Sequence, residues 1–358
     1  TPSKKIKEFW NSEDIYFIKP DIIEDSGVNE ISETKEYISE EARKKARIVT
    51  KKSIFVTCIG SIGKIGIASA GEYAFNQQIN AIVPNEKVQS KYLAYNLLYN
   101  KPRLVAMANA PVVPIINKRQ FGEFIVNIET DIGRQVKIVN VLDRLTHIIR
   151  LSKQELEKLD ELIKARFVEM FGDSASNEKG WKMNTFGDIC TVRQGLQIPI
   201  SKRLTEYEED SYEYITVQYL HGGKEKEYIK SPKESVKCTK DDILMTRTGN
   251  TGMVVTNVEG VFHNNFFLID FDRERFEKDF LVEYLNLDLI QADITRRAGT
   301  STIPDLNHGE FYKIKVFEPP IDLQKEFDEF KMQVDKSKLM FQKLHQKLNI
   351  LQKKVGDI

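Results

Sequence analysis

A 3.5-residue apolar period that runs through two separate stretches constrains this chain more than any other feature. In the first stretch Ile138, Leu142, Leu145, Ile149, Ser152, Leu156, Leu159, Ile163, Arg166 and Met170 follow at spacings of four and three, and eight of the ten are apolar. In the second, Leu323, Phe327, Phe330, Val334, Ser337, Phe341, Leu344, Leu348, Leu351 and Val355 repeat the spacing, and nine of ten are apolar. Only a partner helix wound against it keeps such a stripe covered, so both stretches read as coiled-coil seams. Asp131 and Asp322 stand where a first turn needs a cap, and Gly172 and Gly356 where a last turn needs a stop. A helix over 132–171 is about 60 Å long, so one end projects past whatever it packs on. Ser152, Arg166 and Ser337 interrupt the stripes, and a polar group at a seam position disfavours other registers.

The rest of the chain hangs on these two rods. At 358 residues there is room for two domains. With 53 basic and 53 acidic residues the net charge is zero, which excludes a surface basic all over but not a local basic face. Cys58, Cys190 and Cys238 lie far apart and fit no CxxC spacing, and the five histidines are scattered. That argues against a disulfide framework and a structural zinc site, so a reducing, cytoplasmic compartment is expected. No apolar run reaches the length of a membrane span. The opening TPSKKIKEFW lacks the apolar core of a signal peptide and has no initiator Met, as in a chain trimmed at that end.

Taken in order, IYFIKPDI reads as a short strand closed by Pro20, and SETKEYISEEARKKARIV has helical composition. Residues 53–84 alternate apolar strands with turns at Gly60, Gly63, Gly66 and Gly71. Residues 90–109 read as an amphipathic helix, and APVVPIINKRQFGEFIVNI as a proline loop and a strand entering the first rod. After the polar linker DSASNEKG the same texture returns: strands with glycine turns, a helix, a proline loop, a strand and the second rod.

The return can be measured. Val56-Thr57 matches Met245-Thr246 and Gly60-Ser61-Ile62-Gly63 matches Gly249-Asn250-Thr251-Gly252, both 189 residues on. Phe75 matches Phe262 at 187, Tyr92-Leu93 matches Phe280-Leu281 at 188, and Pro114, Asn117 and Phe121 match Pro304, Asn307 and Phe311 at 190. An ordered set of this kind is an internal duplication whose unit is a domain plus a rod. The opening of the second unit, WKMNTFGDICTVRQGL, falls mostly before residue 1 when shifted back, so a comparable segment is expected to be missing from the first. The expected fold is α+β. Two similar domains of mixed β-sheet and helices are separated by two long helices in an antiparallel coiled coil, with pseudo-twofold symmetry. Expected boundaries are 1–130 for the first domain, 131–172 for the central helix, 173–320 for the linker and second domain, and 321–358 for the distal helix. A rigid spacer between two similar heads suits the reading of two sites at a fixed distance, as dimeric DNA readers do with two chains. Rods that merely join two structural domains are the plainer reading.

The chain resembles the specificity subunit of type I restriction–modification enzymes. The resemblance rests on TPSKKIKEFWNSEDIYFIKPDI, ETKEYISEEARKK, the run from GSIGKIGIAS to FNQQINAIVPN, WKMNTFGDICTVRQG, and the rods after FIVNIETDIGRQ and KVFEPPIDLQK. It covers essentially the whole chain. It implies two target-recognition domains and a non-catalytic role in choosing a split sequence of double-stranded DNA, one half per domain. It also implies recruitment of two methyltransferase subunits and, through them, nuclease–translocase subunits. S-adenosylmethionine, ATP and Mg belong to those partners, with no cofactor in this chain and no membrane. One departure stands out: an Arg is common where the strand meets the glycine turn, and the second unit has Arg247 there while the first has Cys58.

Direct readout needs polar side chains on loops that reach base edges, and phosphate contact needs Lys, Arg or exposed backbone amides. The loop candidates in the first unit are Lys4, Lys5, Ser61, Lys64, Asn117, Lys118 and Arg119. In the second they are His221, Lys224, Arg247, Asn250, Thr251, Arg296, Arg297, Thr300, Ser301, Asn307 and His308. Each has a solvated-loop alternative. Asn76-Gln77 and Asn264-Asn265 read as turn or core amides. The basic run Arg43-Lys44-Lys45, with Arg47, Lys51 and Lys52, suits either a phosphate track or a helix face balanced by Glu36, Glu40 and Glu41.

Enzyme readings have thin support. Pro20-Asp21 with Glu33-Thr34-Lys35 mimics a PD…ExK metal-nuclease pattern, but ExK is common in a chain that is 30% charged. An amino-methyltransferase needs a PPY-type tetrapeptide, and Pro319-Pro320 is followed by Ile321. No GxSxG nucleophile elbow occurs. Two alternatives to the type I reading stay open. One is a specificity subunit whose partner fuses methyltransferase and nuclease. The other is a two-headed coiled-coil scaffold that binds protein.

Overall fold

Short β-branched and aromatic runs cut by glycine turns make the strands of both units. The computed structural model of the chain describes residues 1–108, 113–220, 222–223, 225–300 and 304–356. They form two compact units, Thr1–Glu155 with Phe341–Ile358, and Leu156–Met340.

In the first unit the strands are β1 (Ile15–Ile18), β2 (Val28–Ile31), β3 (Glu36–Ile38), β4 (Ile48–Thr50), β5 (Ile54–Thr57), β6 (Ile65–Ala68), β7 (Glu72–Phe75) and β8 (Ile79–Ile82). They build two sheets, ordered β3-β1-β7-β4 and β2-β6-β5-β8, with β1–β7 and β2–β6 parallel and the other pairs antiparallel. Every residue of β5 and β6 is buried, as expected of strands covered on both faces. Helices α1 (Ser90–Tyr99) and α2 (Lys101–Met107) cover them through Leu93, Leu97 and Leu104. A short helix α3 (Lys118–Gly122) precedes the first rod, α4 (Ile132–Phe171). Tyr92 and Tyr95 of α1 pack on Val139 and Leu142 of the rod, so head and rod share one core.

The second unit opens with β9 (Lys182–Thr185), α5 (Phe186–Ile189) and β10 (Cys190–Gln194). Then come β11 (Ser211–Ile215), α6 (Val217–Leu220), β12 (Tyr228–Lys230), β13 (Lys237–Cys238), β14 (Ile243–Thr246), β15 (Val254–Val255), β16 (Gly260–Phe262) and β17 (Phe266–Phe271). Helices α7 (Lys278–Asn286), α8 (Asp288–Ala298) and α9 (His308–Tyr312), strand β18 (Lys315–Glu318) and the second rod α10 (Ile321–Gly356) complete it. The sheet β12-β11-β16-β13 copies β3-β1-β7-β4 strand for strand, parallel pair included. The run β15-β14-β17 copies β6-β5-β8, but its added edge strand is β10 beside β17 where the first unit adds β2 beside β6. The duplication is therefore a duplication of topology. Phe167 and Phe171 of α4 meet Phe280 of α7 and Phe327 of α10 at ring-centre distances of 4.9–5.6 Å, all four fully buried.

The rods pair antiparallel within each unit. In the first, Gln352 Nε2 donates to Thr146 Oγ1 (2.8 Å) and Ser152 Oγ to the Phe341 carbonyl (3.3 Å). In the second, Lys338 meets Asp160 (2.6 Å) and Arg166 meets Glu326 (3.0 Å), with the Arg166 guanidinium over Phe330. No helix among the described residues is long and apolar enough to cross a membrane.

Five expectations need correction. The expected seam places Leu344 and Leu351 inside, yet they are 40% and 50% exposed. Phe327, Val334 and Leu348 are buried and Phe330 and Phe341 half-buried as expected, but beyond Val334 the alternate positions move one residue on, to Lys338, His345 and Gln352. Both phases share every seventh residue, and the polar partners Asp160 and Thr146 choose between them. Ile138, Leu145, Ile149, Leu156 and Leu159 are half-buried and Ile163 buried as expected, while Val355 has no described side chain. Ser337 bonds back to Gln333 in its own helix and sets no register. Asp322 is not a cap, because α10 begins at Ile321 and Pro320 supplies the capping carbonyl to Leu323 and Gln324, whereas Asp131 does cap α4 through Arg134 (3.1 Å).

SETKEYISEEARKK is not an α-helix. Glu36–Ile38 pairs with β1, and Ser39 in extended conformation leaves only a 3₁₀ turn, Glu40–Lys45. Sheet pairing by Tyr37 and Ile38 outweighs the helical composition around them. Finally, only the second unit has a strand entering its rod: β18 pairs with β9, while residues 123–129 have no such partner among the described residues and stay irregular.

Candidate nucleic-acid interface

Strand β14 ends at Thr246, and the chain then turns through Gly249 and Gly252, whose φ angles are +85° and +89°. A Cβ at Gly252 would lie 2.9 Å from Gln291 and Ile294, so only glycine serves there. Thr246 closes the turn, its carbonyl accepting from Gly252 N (2.9 Å) and its Oγ1 from Met253 N (2.9 Å). The proline loop is laced onto this turn: Leu306 N donates to the Arg247 carbonyl (2.9 Å), Thr248 bridges Asp305, and Thr251 Oγ1 donates to the carbonyls of Arg247 (3.1 Å) and Pro304 (3.0 Å).

The first unit repeats the frame. Thr57 accepts from Gly63 N (2.9 Å) and, through Oγ1, from Lys64 N (3.0 Å). Ile116 N donates to the Cys58 carbonyl (2.8 Å), Ile59 bridges Ile115, and Gly60 N donates to the Pro114 carbonyl (2.9 Å). Strand end, glycine turn and proline loop thus form one hydrogen-bonded platform in each unit, and the exposed side chains on it are held by the backbone beneath.

Onto this platform the structure brings Ser61, Lys64, Asn117, Lys118 and Arg119 in the first unit, and Arg247, Asn250, Thr251, Asn307 and His308 in the second. Their freedom differs. Ser61, Lys118, Arg119 and Asn250 are exposed, with Arg119 reaching only Glu123 on its own helix (3.0 Å). Asn117 and Asn307 cap α3 and α9, accepting from Gln120 N (2.9 Å) and Glu310 N (3.0 Å). Lys64 Nζ reaches the Pro20 carbonyl (3.5 Å). His308 lies edge-on to Phe267, and its Nε2 is buried with no partner among the described residues. Burial and the nearby Arg247 charge hold its pKa below the usual histidine range.

Other candidates lie elsewhere. Lys4 binds Glu36 (3.1 Å) over the Trp10 ring, and Lys5 is exposed beside it in sequence. Arg296 and Arg297 are tied to Asp293 of their own helix, and Arg297 also reaches Glu310 (3.3 Å), fastening α8 to α9. Thr300 is exposed, and His221, Lys224 and Ser301 lie outside the described residues. In the basic run, Arg43 is held by Glu40 and Glu72 while Lys44, Lys45, Arg47, Lys51 and Lys52 are exposed. Asn76 is spent on Gln78.

Two features escape a sequence reading. Asp305 pairs with Arg247 from 58 residues away. An open groove of about 780 Å³ in the second unit is lined by Tyr207, Tyr212, Tyr219, Tyr228 and Lys240. The tyrosines in EYEEDSYEYITVQYL are a visible signal for the groove, since exposed aromatic faces stack bases.

Two copies of one α+β head, each running into a long helix and each carrying the same turn-and-loop platform, define a duplicated, two-headed chain. The family model of the type I restriction modification DNA specificity domain matches residues 1–161 and 178–350, and the chain belongs to that family. It is 29% identical over 243 residues to the MjaIX type I restriction enzyme specificity subunit of Methanocaldococcus jannaschii, covering 62% of this chain and 55% of that protein. It thus spans about half the length of that relative. To the EcoprrI specificity subunit of Escherichia coli it is 22% identical over 343 residues, 90% of this chain and 81% of the other. Its fold matches the crystal structure of a type I restriction–modification S subunit from M. genitalium with a TM-score of 0.58 at 17% identity, covering 96% of this chain and 91% of that one.

Proposed function

We propose that the chain is the DNA-specificity subunit of a type I restriction–modification complex, acting by binding alone. Each unit reads one half of a bipartite duplex target through its platform, and the chain recruits two methyltransferase subunits and, through them, nuclease–translocase subunits. The observation that carries this reading is the duplicated platform, the same in backbone and different in side chains. One scaffold presenting two different sets of polar groups suits two different half-sites. The cofactors S-adenosylmethionine, ATP and Mg belong, on this reading, to the partners, and the complex works in the cytoplasm.

Mapping methylated adenines in a genome that carries this chain with its methyltransferase partner tests the proposal. A split motif with an unspecified spacer is expected, and a continuous motif contradicts the two-reader model. Affinity for duplex DNA should fall steeply with salt as phosphate contacts release counterions. Salt-independent binding, measured with the partner present, would favour a protein-binding scaffold instead.

A further inference from the structure

The Arg247 guanidinium grips Asp305 with both arms of its fork, Nε to Oδ1 at 2.9 Å and Nη2 to Oδ2 at 2.8 Å. The Arg side chain is 19% exposed and that of Asp305 44%. A carboxylate held by two parallel N–H donors in this way restricts how the guanidinium can turn. Asp305 takes the side-on pair of donors, Nε and Nη2, and so fixes the plane and direction of the guanidinium, whose end-on Nη1–Nη2 edge carries the remaining donors. The pair spans the joint of the platform: Arg247 directly follows the strand and Asp305 belongs to the proline loop that leads to Asn307 and His308. At the equivalent positions of the first unit stand Cys58 and Ile115, in the same backbone frame of Ile116 N to Cys58 O and the Ile59–Ile115 bridge. Both charges are present in one unit and both are absent in the other. That is the pattern expected of two residues that act on each other, because removing one partner strands the second, while replacing both by neutral groups does not.

On the reading proposed above, we propose that Arg247 and Asp305 are a positioning lock that fixes the proline loop of the second unit for half-site recognition, and that Cys58 with Ile115 is its neutral equivalent in the first. The specificity of the second unit then depends on the pair through the loop it positions, so either single loss acts alike and the joint replacement restores it.

The test uses the full chain with its methyltransferase partner in four forms: wild type, Arg247→Cys, Asp305→Ile and the double variant carrying both first-unit residues. Methylated motifs are mapped for each. Expected is an about tenfold loss of methylation at one and the same half-site motif in both single variants, recovering in the double variant with that half-site unchanged. If Asp305→Ile keeps the wild-type pattern while Arg247→Cys loses it, Arg247 is a base reader and the lock is overturned. A double variant no better than the worse single overturns it as well. A continuous wild-type motif would instead defeat the proposed function. In that event hydrogen exchange at the Leu306 amide decides the lock: faster in each single and slowed again in the double supports it, and equal rates in all four overturn it.

Discussion

Gln135 and Gln324 stand 189 residues apart and make the same three hydrogen bonds. Gln135 Oε1 accepts from Gln89 N (2.7 Å) while its Nε2 donates to the carbonyls of Lys87 (3.2 Å) and Glu129 (2.6 Å). Gln324 Oε1 accepts from Glu277 N (2.9 Å) while its Nε2 donates to the carbonyls of Arg275 (3.0 Å) and Pro319 (2.9 Å). Both are fully buried in the first turns of their rods. Each amide thus ties three passages together: the loop before the head's helix, the segment entering the rod, and the rod itself.

Replacing either glutamine by methionine keeps the volume and strands three backbone groups. A loss of about 3 kcal/mol is expected for the unit concerned. The two tryptophans allow the units to be told apart, since Trp10 lies in the first and Trp181 in the second. In a Trp181→Phe background the denaturant midpoint seen by Trp10 should fall for Gln135→Met and stay for Gln324→Met. A common shift in both would mean that the glutamines act on global stability and not on their own unit.

These glutamines also show what a sequence can and cannot reveal. Their spacing was available, because the glycine turns, Asn117 with Asn307 and the rods already repeat at 187–190 residues. Their burial was not, since a polar Gln in a first turn shortly after an Asp looks like part of a solvated helix start. Periodic features survive in sequence because many residues vote for one face, which is why the rods and the duplication are legible. The Arg247–Asp305 pair has no period, and each residue alone looks like an exposed loop charge. Tyr37 and Ile38 became a strand because β1 lies beside them, a fact held by residues Ile15–Phe17 and not by their own neighbours.

The seam of the second rod gives a sharper contrast. Leu348 is 8% exposed and Leu344 is 40% exposed, though they are four residues apart in one apolar stripe. Leu348→Ala should cost about 2–3 kcal/mol through lost burial and a residual cavity. Leu344→Ala should stay within about 0.5 kcal/mol. Chemical denaturation of the two variants side by side checks this. Equal losses would restore the simple heptad phase and remove His345 from the seam.

Phe167 is fully buried and touches the rings of Phe171, Phe280 and Phe327, so it joins rod one, rod two and the head of the second unit. Truncation to Ala should cost about 3–5 kcal/mol. The expected readout is loss of the Trp181 transition at a lower denaturant concentration, because the Trp181 indole donates to the Phe171 carbonyl (2.8 Å) within the same cluster. A Trp10 transition that fell equally would show that the cluster does not act within its own unit.

Asp328 makes the stability of the second unit depend on pH. Its Oδ1 is buried with no partner among the described residues. Burial, with Asp279 and Glu277 nearby, raises its pKa to about 7, and Lys331 and Lys278 oppose the rise. Lys331 is itself engaged by Asp279 (3.2 Å) and Glu283 (3.0 Å), so it cannot serve Asp328 fully. The folded state therefore holds this proton more tightly than the unfolded chain. The stabilisation is complete below the ordinary aspartate range and is lost as pH rises towards and through about 7. Asp328→Asn mimics the protonated form at every pH. After screening by solvent, the variant should be more stable than the wild type by about 1–2 kcal/mol at pH 8, with the gap closing as pH falls to about 4. Thermal unfolding followed at Trp181 across that range measures the gap, and a difference independent of pH would rule out Asp328 as its source.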